Sequence, residues 1–415
     1  MARTVAGLPA GMRITDFVSV GVLASRIPPA EVDRVLTATG RQSQRLRQLP
    51  ARVMVYYVIA LALYMDVSYG EVLRMLVEGL RWLGAPARRL RNTGRSAISQ
   101  ARARLGWEPL ERLYRDWVGP IASERTRGWR YRDWRVVSVD GTTLDTADTE
   151  ANAAAFGRPG ASRGASAFPQ VRLVSLLENG TRVLFGAQIG PCTTAEVRLA
   201  DRALEYLRPG MLCLADRNFL AYARWQAAAA SGAELLWRVK KNAVLPCHQR
   251  LADGSYLSAI YRSEKDRRHH RHGCVVRVLE YQLDGVADPE PLYRLVTTLR
   301  DPTAAPAHEL AALYAERWEI ETAFDELKTH LRGPRIVLRS KTPDLVRQEL
   351  YGLLLAHFAI RGLLDEAALQ ADLDPDALSF VHAVRVVRRN LAQGAFPPSA
   401  ANPPDPARRD PRSPL

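Results

Sequence analysis

Hydrophobic positions change their spacing twice along the chain. Up to about Leu110 they recur with helical periodicity. "PPAEVDRVLTATG" opens on proline and closes on glycine, as a short helix does. "ARVMVYYVIALALYMDVS" is apolar on every side and predicts a buried helix. "SYGEVLRMLVEGLRWLG" follows, with Ser68 and Glu71 spaced approximately as a capping box. From Trp134 the texture becomes that of strands: "RVVSV" (135–139), "QVRLVSLLE" (170–178), "TRVLFGAQI" (181–189), "MLCLA" (211–215) and "ELLWRV" (234–239). Helical "TAEVRLADRALEYL" precedes the fourth and "FLAYARWQAAAA" follows it, an order that makes a mixed α/β sheet. Residues 241–305 are polar and basic, with strand candidates "GCVVRVLEYQL" and "YRLVTTL", and read as an insertion. Helical spacing then returns in "LVRQELYGLLLAHFAIRGLL" and "LSFVHAVRVVRRNL". The proline-rich stretch from Gly394 predicts disorder.

One helical stretch carries an unusual second pattern. In "LYAERWEIETAFDELKTHL" (313–331) a uniform 100° per residue puts Leu313, Ile320, Phe324, Leu327 and Leu331 on one apolar stripe. Tyr314, Arg317, Glu321 and Lys328 fall on a narrow polar line along its rim, and Glu316, Glu319 and Glu326 turn to solvent.

Composition narrows the class. With 415 residues, 47% hydrophobic and 25% charged, the chain has the balance of a soluble protein of two or three units. Its longest apolar run, Val53–Met65, is 13 residues, too short for a bilayer, and no signal peptide is expected. Four cysteines without paired spacing suit a reducing cytoplasm. The net charge of +14 and pI of about 9.9 favour a polyanionic partner. Residues 1–130 hold 21 arginines, no lysine and 10 acids, so +11 of that charge lies there. An arginine-loaded helical module suits DNA binding, with Arg88, Arg89, Arg91 and Arg95 as the candidates for a helix in the major groove.

Two aspartates occupy strand ends, where ligand sites in α/β sheets gather: Asp140 closes "VVSVD" and Asp216 closes "MLCLAD". With Glu321 they make three carboxylates that repel one another unless a cation intervenes. Hard oxygen donors select Mg²⁺ or Mn²⁺, and two such ions about 4 Å apart clamp the attacking and leaving oxygens of a phosphoryl transfer. Asp145, Asp148 and Asp325 are weaker candidates. "Cys247-His248" and "HHRHGC" (269–274) fit no common zinc spacing, and "KDRRHHRHGC" reads better as a phosphate-contacting loop. Trp237 reads as core, and Arg238, Lys240 and Lys241 as candidates to line a DNA channel.

"VVSVDGTTLD", "LADRNF" and "YAERWEIETAFDELK" resemble the three catalytic blocks of the DDE transposases of the insertion-sequence-four family. The last block matches that family's Tyr-x₂-Arg-x₃-Glu-x₆-Lys signature at Tyr314, Arg317, Glu321 and Lys328, and the amino-terminal helices resemble the family's helical domain. The resemblance implies an RNase H-like core with a β-rich insertion, an all-helical amino-terminal domain and carboxy-terminal helices. It divides the chain at 1–128 (helical, DNA-binding), 129–240 (core), 241–305 (insertion), 306–365 (core with the glutamate helix), 366–393 (terminal helices) and 394–415 (tail). It makes Asp140, Asp216 and Glu321 ligands of two Mg²⁺ or Mn²⁺ ions, and puts Tyr314, Arg317 and Lys328 on phosphates of the transposon end. The implied activity is cut-and-paste transposition: metal-dependent cleavage at terminal inverted repeats, then strand transfer into target DNA. The implied setting is a homodimer on double-stranded DNA in the bacterial cytoplasm, at the nucleoid and away from any membrane. The alternatives are a related nuclease without strand transfer and a transposase-derived DNA-binding protein without chemistry.

Overall fold

The computed structural model describes residues 23, 26–44, 49–79, 94–161, 164–165, 168–282, 292–333 and 337–391. Arg88, Arg89, Arg91 and the tail from Gly394 lie outside them. The early helices are α1 (Pro29–Ala38), α2 (Ala51–Leu63), α3 (Tyr69–Gly79), α4 (Arg95–Leu105) and α5 (Glu108–Trp117). In α1 the proline sits in the first turn, where no N–H is needed, and Gly40 beyond the end takes a positive φ of 64°. Only one side of the capping box forms ahead of α3. Ser68 Oγ accepts from the Glu71 amide at 3.4 Å, while Glu71 pairs with Arg74.

The apolar run becomes α2, and every residue from Val53 to Met65 is buried. Its partner is α11 (Pro343–Ala371), a 29-residue helix buried along most of its length. The two approach at Gly352, where an added Cβ would stand 2.8 Å from the Val58 carbonyl oxygen. One hydrophobic core runs from Leu23 through the sheet to Val387. The described helices before residue 128 are therefore packed into the body of the protein, and α11 passes without a break through the boundary expected at residue 365. Arg102, one of the arginines that gave the amino-terminal region its DNA-binding look, is buried instead. It donates to Gln348 Oε1 at 2.8 Å and Ser340 Oγ at 3.1 Å and so docks α4 on α11. Arg95 is exposed.

The central strands are β1 (Trp134–Asp145), β2 (Gln170–Glu178), β3 (Val183–Pro191), β4 (Met211–Ala215) and β5 (Glu234–Arg238). β1, β2 and β3 pair antiparallel, and β4 and β5 add in parallel on the other side of β1. Helix α6 (Glu150–Phe156) follows β1, α7 (Glu196–Ala203) crosses to β4, and α8 (Tyr222–Ala230) crosses to β5. The order β3-β2-β1-β4-β5 with these crossovers is the RNase H-like arrangement. Both faces are covered, so the inner strands read as continuous apolar runs. Val137, Cys213 and Ala215 face the large core; Val136, Leu212 and Leu214 face a smaller one under α9 (Ala307–Tyr314).

The interval 241–305 extends this sheet. Its strands β6 (Tyr256–Ile260), β7 (Cys274–Tyr281) and β8 (Tyr293–Thr297) join antiparallel, β8 lying against β5 with Val296 opposite Trp237. Trp237 is buried edge-on against Trp225 at 5.3 Å, a core residue as read. Arg277, fully buried on β7, donates to the Leu299 and Ala305 carbonyls and pairs with Asp253. Asp253 in turn accepts from the Ala307 amide at 2.9 Å, at the first residue of α9. The inserted strands thus fix where α9 begins, ahead of the segment from Tyr314 to Leu331.

Candidate active site

β1 runs on past Asp140 to Asp145, so Asp140 is not the end of its strand. It is the point where β1 parts from β4: the pairing stops at Val139 opposite Ala215, which leaves Asp140 and Asp216 side by side at the next step. This opening at the carboxyl end of parallel strands is where an α/β sheet offers a site. Asp140 Oδ1 accepts from the Gly141 amide at 2.8 Å, and burial pushes its carboxyl up to about 6. The Asp216 carboxylate makes no hydrogen bond among the described residues.

The third block is not one uniform helix. α9 ends at Tyr314, a 3₁₀ turn spans Ala315–Trp318, α10 covers Glu319–Asp325, and a π-helical turn follows at Glu326–Leu331. Three of the four signature side chains tie this segment to the aspartate strands. The buried Tyr314 hydroxyl donates to the Ala215 carbonyl at 3.2 Å, just ahead of Asp216. Arg317, 7% exposed, donates to Asp140 Oδ2 at 3.1 Å and to Glu321 Oε1 at 3.2 Å. Lys328 Nζ donates to Thr142 Oγ1 at 3.0 Å. Glu321 is 45% exposed. Tyr314, expected on phosphate, is spent on the backbone here, whereas Arg317 and Lys328 face the cleft side of β1.

The tightened and loosened turns overturn the expectation that three other glutamates face water. Glu326 is buried, accepting from Arg361 Nε at 2.8 Å and lying 3.2 Å from His357 Nε2. Glu319 accepts from the Gly180 amide at 2.9 Å, and burial lifts its carboxyl to about 8. Burial likewise lifts Glu316 to about 7, and its carbonyl accepts from Asn179. A uniform 100° step rotates all three outward; a 3₁₀ turn followed by a π turn does not.

Of the weaker candidates, Asp145 accepts from Gln170, Asp148 pairs with Arg158, and Asp325 is exposed beside His330. Lys240 and Lys241 are exposed, while Arg238 lies over the Tyr293 ring at 4.7 Å. Trp318, 58% exposed, lies against the Arg317 guanidinium at 4.8 Å.

A fourth carboxylate stands in the opening. Glu196, in the first turn of α7, packs its carboxylate over Gly141. Burial and the neighbouring Asp216 raise its carboxyl, opposed by Arg172. Read from sequence, it was an unremarked acid in "TAEVRLADRALEYL"; an acid in the first turn after a buried strand was the only signal.

No three His, Cys, Asp or Glu side chains among the described residues are drawn together tightly enough to hold an ion, and this covers the Cys247–Cys274 stretch too. Instead the Arg317 guanidinium fills the space between Asp140 and Glu321. A cation already sits between these carboxylates, and their oxygens are the hard donors that Mg²⁺ or Mn²⁺ takes. The residues fit such an ion.

An RNase H-like sheet with acids on β1, after β4 and on the returning helix defines a DDE recombinase. Residues 132–359 match the "Transposase DDE domain" family and residues 17–115 match "Insertion element 4 transposase N-terminal". The chain belongs to the insertion-element-4 family of DDE transposases. It is 28% identical over 383 residues to "Transposase InsG for insertion sequence element IS4" of Escherichia coli (strain K12), covering 90% of this chain and 84% of that one. To "Putative transposase InsZ" of the same organism it is 26% identical over 202 residues, 48% of this chain and 64% of that one. Among solved structures, a piggyBac transposase synaptic complex with hairpin DNA overlays with a TM-score of 0.47 at 10% identity, over 91% of this chain and 80% of that one. DDE transposases act on DNA with divalent metal ions. Among the described residues no helix is long and apolar enough to cross a membrane.

Proposed function

We propose that this chain cuts its own insertion element from DNA at the terminal inverted repeats and joins the freed ends to target DNA. The observation that carries the reading is the single guanidinium of Arg317 holding Asp140 of β1 and Glu321 of α10, with Asp216 at the adjoining step of β4. Asp140, Asp216 and Glu321 would hold two Mg²⁺ or Mn²⁺ ions. Such ions neutralise charge at the scissile phosphate and polarise the attacking oxygen. Arg317 and Lys328 exchange their partners in the DNA-free protein for backbone phosphates, and Tyr314 keeps the Asp216 strand end in place. Water attacks the phosphodiester at the element's end and a 3′-hydroxyl leaves. That hydroxyl then attacks a target phosphodiester, one P–O bond replacing another without an outside energy source. The exposed Arg95, Lys240 and Lys241, with Arg88, Arg89, Arg91 and Arg238, supply further phosphate or base contacts. Two copies pair the two ends, on chromosomal DNA in the bacterial cytoplasm.

The test uses full-length protein, Mg²⁺ and linear DNA carrying this reading frame with its flanking sequence. Cleavage at both flanks and joining of the new 3′ ends to a plasmid are expected, and EDTA should abolish both. Cutting without joining would assign a nuclease; binding without cutting would assign a DNA-binding protein.

Lys328 offers a separate check. If it moves from Thr142 to a phosphate, Lys328→Ala should flatten the dependence of log K on log salt by roughly 0.9. The melting temperature should barely change. A lowered melting temperature with an unchanged slope would leave Lys328 as a tether to Thr142 only.

A further inference from the structure

We propose that Glu196 is a fourth carboxylate of the cation site, holding one of the two divalent ions, or a water on it, from the α7 side. The inference rests on the metal-dependent reading above and extends it to a residue outside the three catalytic blocks. Two observations of different kinds support it. The first is placement. α7 follows β3, and Glu196 in its first turn lays its carboxylate over Gly141, the residue after Asp140. Glu196 makes no hydrogen bond or ion pair among the described residues, so nothing in the fold requires a carboxylate there.

The second is steric. A Cβ on Gly141 would stand 2.2 Å from Glu196 Oε1 and 3.0 Å from its Cδ. Gly141 has an ordinary extended backbone that any residue adopts, so a side chain there would act on the site by pushing the Glu196 carboxylate aside. The residue after Asp140 is thus a cradle for the Glu196 carboxylate, which holds it beside Asp140 and facing Asp216. A half-buried acid next to two others, faced by Arg172 without an ion pair to it, gains from a further cation that joins the three carboxylates.

Mn²⁺ alone, titrated into the full-length protein by calorimetry and by the electron spin resonance of free Mn²⁺, tests this without turnover. Glu196→Gln should weaken the binding of one ion by at least about tenfold. Its metal-free melting temperature should hold or rise, because a like charge has been removed. Gly141→Ala should displace the same carboxylate and weaken binding comparably. The double variant should then be no weaker than either single one, since both act through one contact. Unchanged Mn²⁺ affinity in Glu196→Gln, or strictly additive losses, would overturn the assignment. A lowered metal-free melting temperature with unchanged affinity would show a structural acid instead. No binding by the unsubstituted protein would refute the metal reading as a whole, whereas normal binding by both proteins refutes only the role of Glu196.

Discussion

Asp140→Asn, Asp216→Asn and Glu321→Gln should each lower Mg²⁺-dependent end cleavage by on the order of a thousandfold while leaving end binding nearly intact. The size follows from losing several kcal/mol of charge stabilisation at the phosphate, each 1.36 kcal/mol being about tenfold in rate. Double and triple variants should be scarcely slower than the single ones, because the acids act as one unit. Folding should survive. The Asp140 carboxyl is already pushed up to about 6 by burial, so an uncharged amide there relieves strain on the fold. Asp216 has no hydrogen bond to lose among the described residues, and the half-exposed Glu321 keeps an amide oxygen for Arg317 when changed to Gln. Single-turnover cleavage of labelled ends, with binding followed in Ca²⁺, separates the two effects. Near-normal cleavage by Glu321→Gln alone would transfer the third ligand's place to Glu196.

The largest stability effect belongs to the cluster behind the site. Glu326 is fully enclosed with Arg361 and His357, and Arg182 lies 3.6 Å away. Burial alone would raise the Glu326 carboxyl; Arg361 and His357 outweigh it and hold it at about 2. Arg361→Met should therefore cost about 3–5 kcal/mol, since it strands a buried anion. Arg361→Met with Glu326→Leu should recover most of that, because the buried anion goes too. The sign of the pH effect follows from a folded value below the unfolded one. The contribution is complete above the ordinary glutamate range and is lost as pH falls from about 4.5 toward 2. Denaturant unfolding across that window should show the unsubstituted protein losing stability faster than the double variant. Parallel profiles would remove Glu326 from the account.

The sheet and the acids were legible because their signals are local. Buried parallel strands read as apolar runs, and an acid that interrupts one stands out, as Asp140 and Asp216 do. The spacing of Tyr314, Arg317, Glu321 and Lys328 survives any detail of helix geometry. Glu316, Glu319 and Glu326 were misplaced because the wheel assumed one pitch where the chain uses three. His357 and Arg361, four residues apart in the otherwise apolar stretch from Leu350 to Leu364, were the available warning that a buried anion had to exist somewhere. Arg102 was read as surface charge because charge counts carry no burial. The inserted strands looked separate because sequence shows a strand's alternation and not its neighbour.

The α2–α11 packing sets a schedule for the nascent chain. Leu63 leaves the ribosome 280 residues before Pro343. At synthesis rates of about 5–20 residues per second that interval is roughly 14–56 s. Throughout it, the face of this apolar helix that meets α11 stays uncovered, with only α1, α3 and α4 packed beside it. Asp140 emerges before Arg317, and its ion pair forms only when the segment from Tyr314 to Leu331 folds back on β1. The face of α2 that α11 covers is therefore the longest-exposed apolar surface of the growing chain's early helices, and it is the surface a chaperone would have to shield.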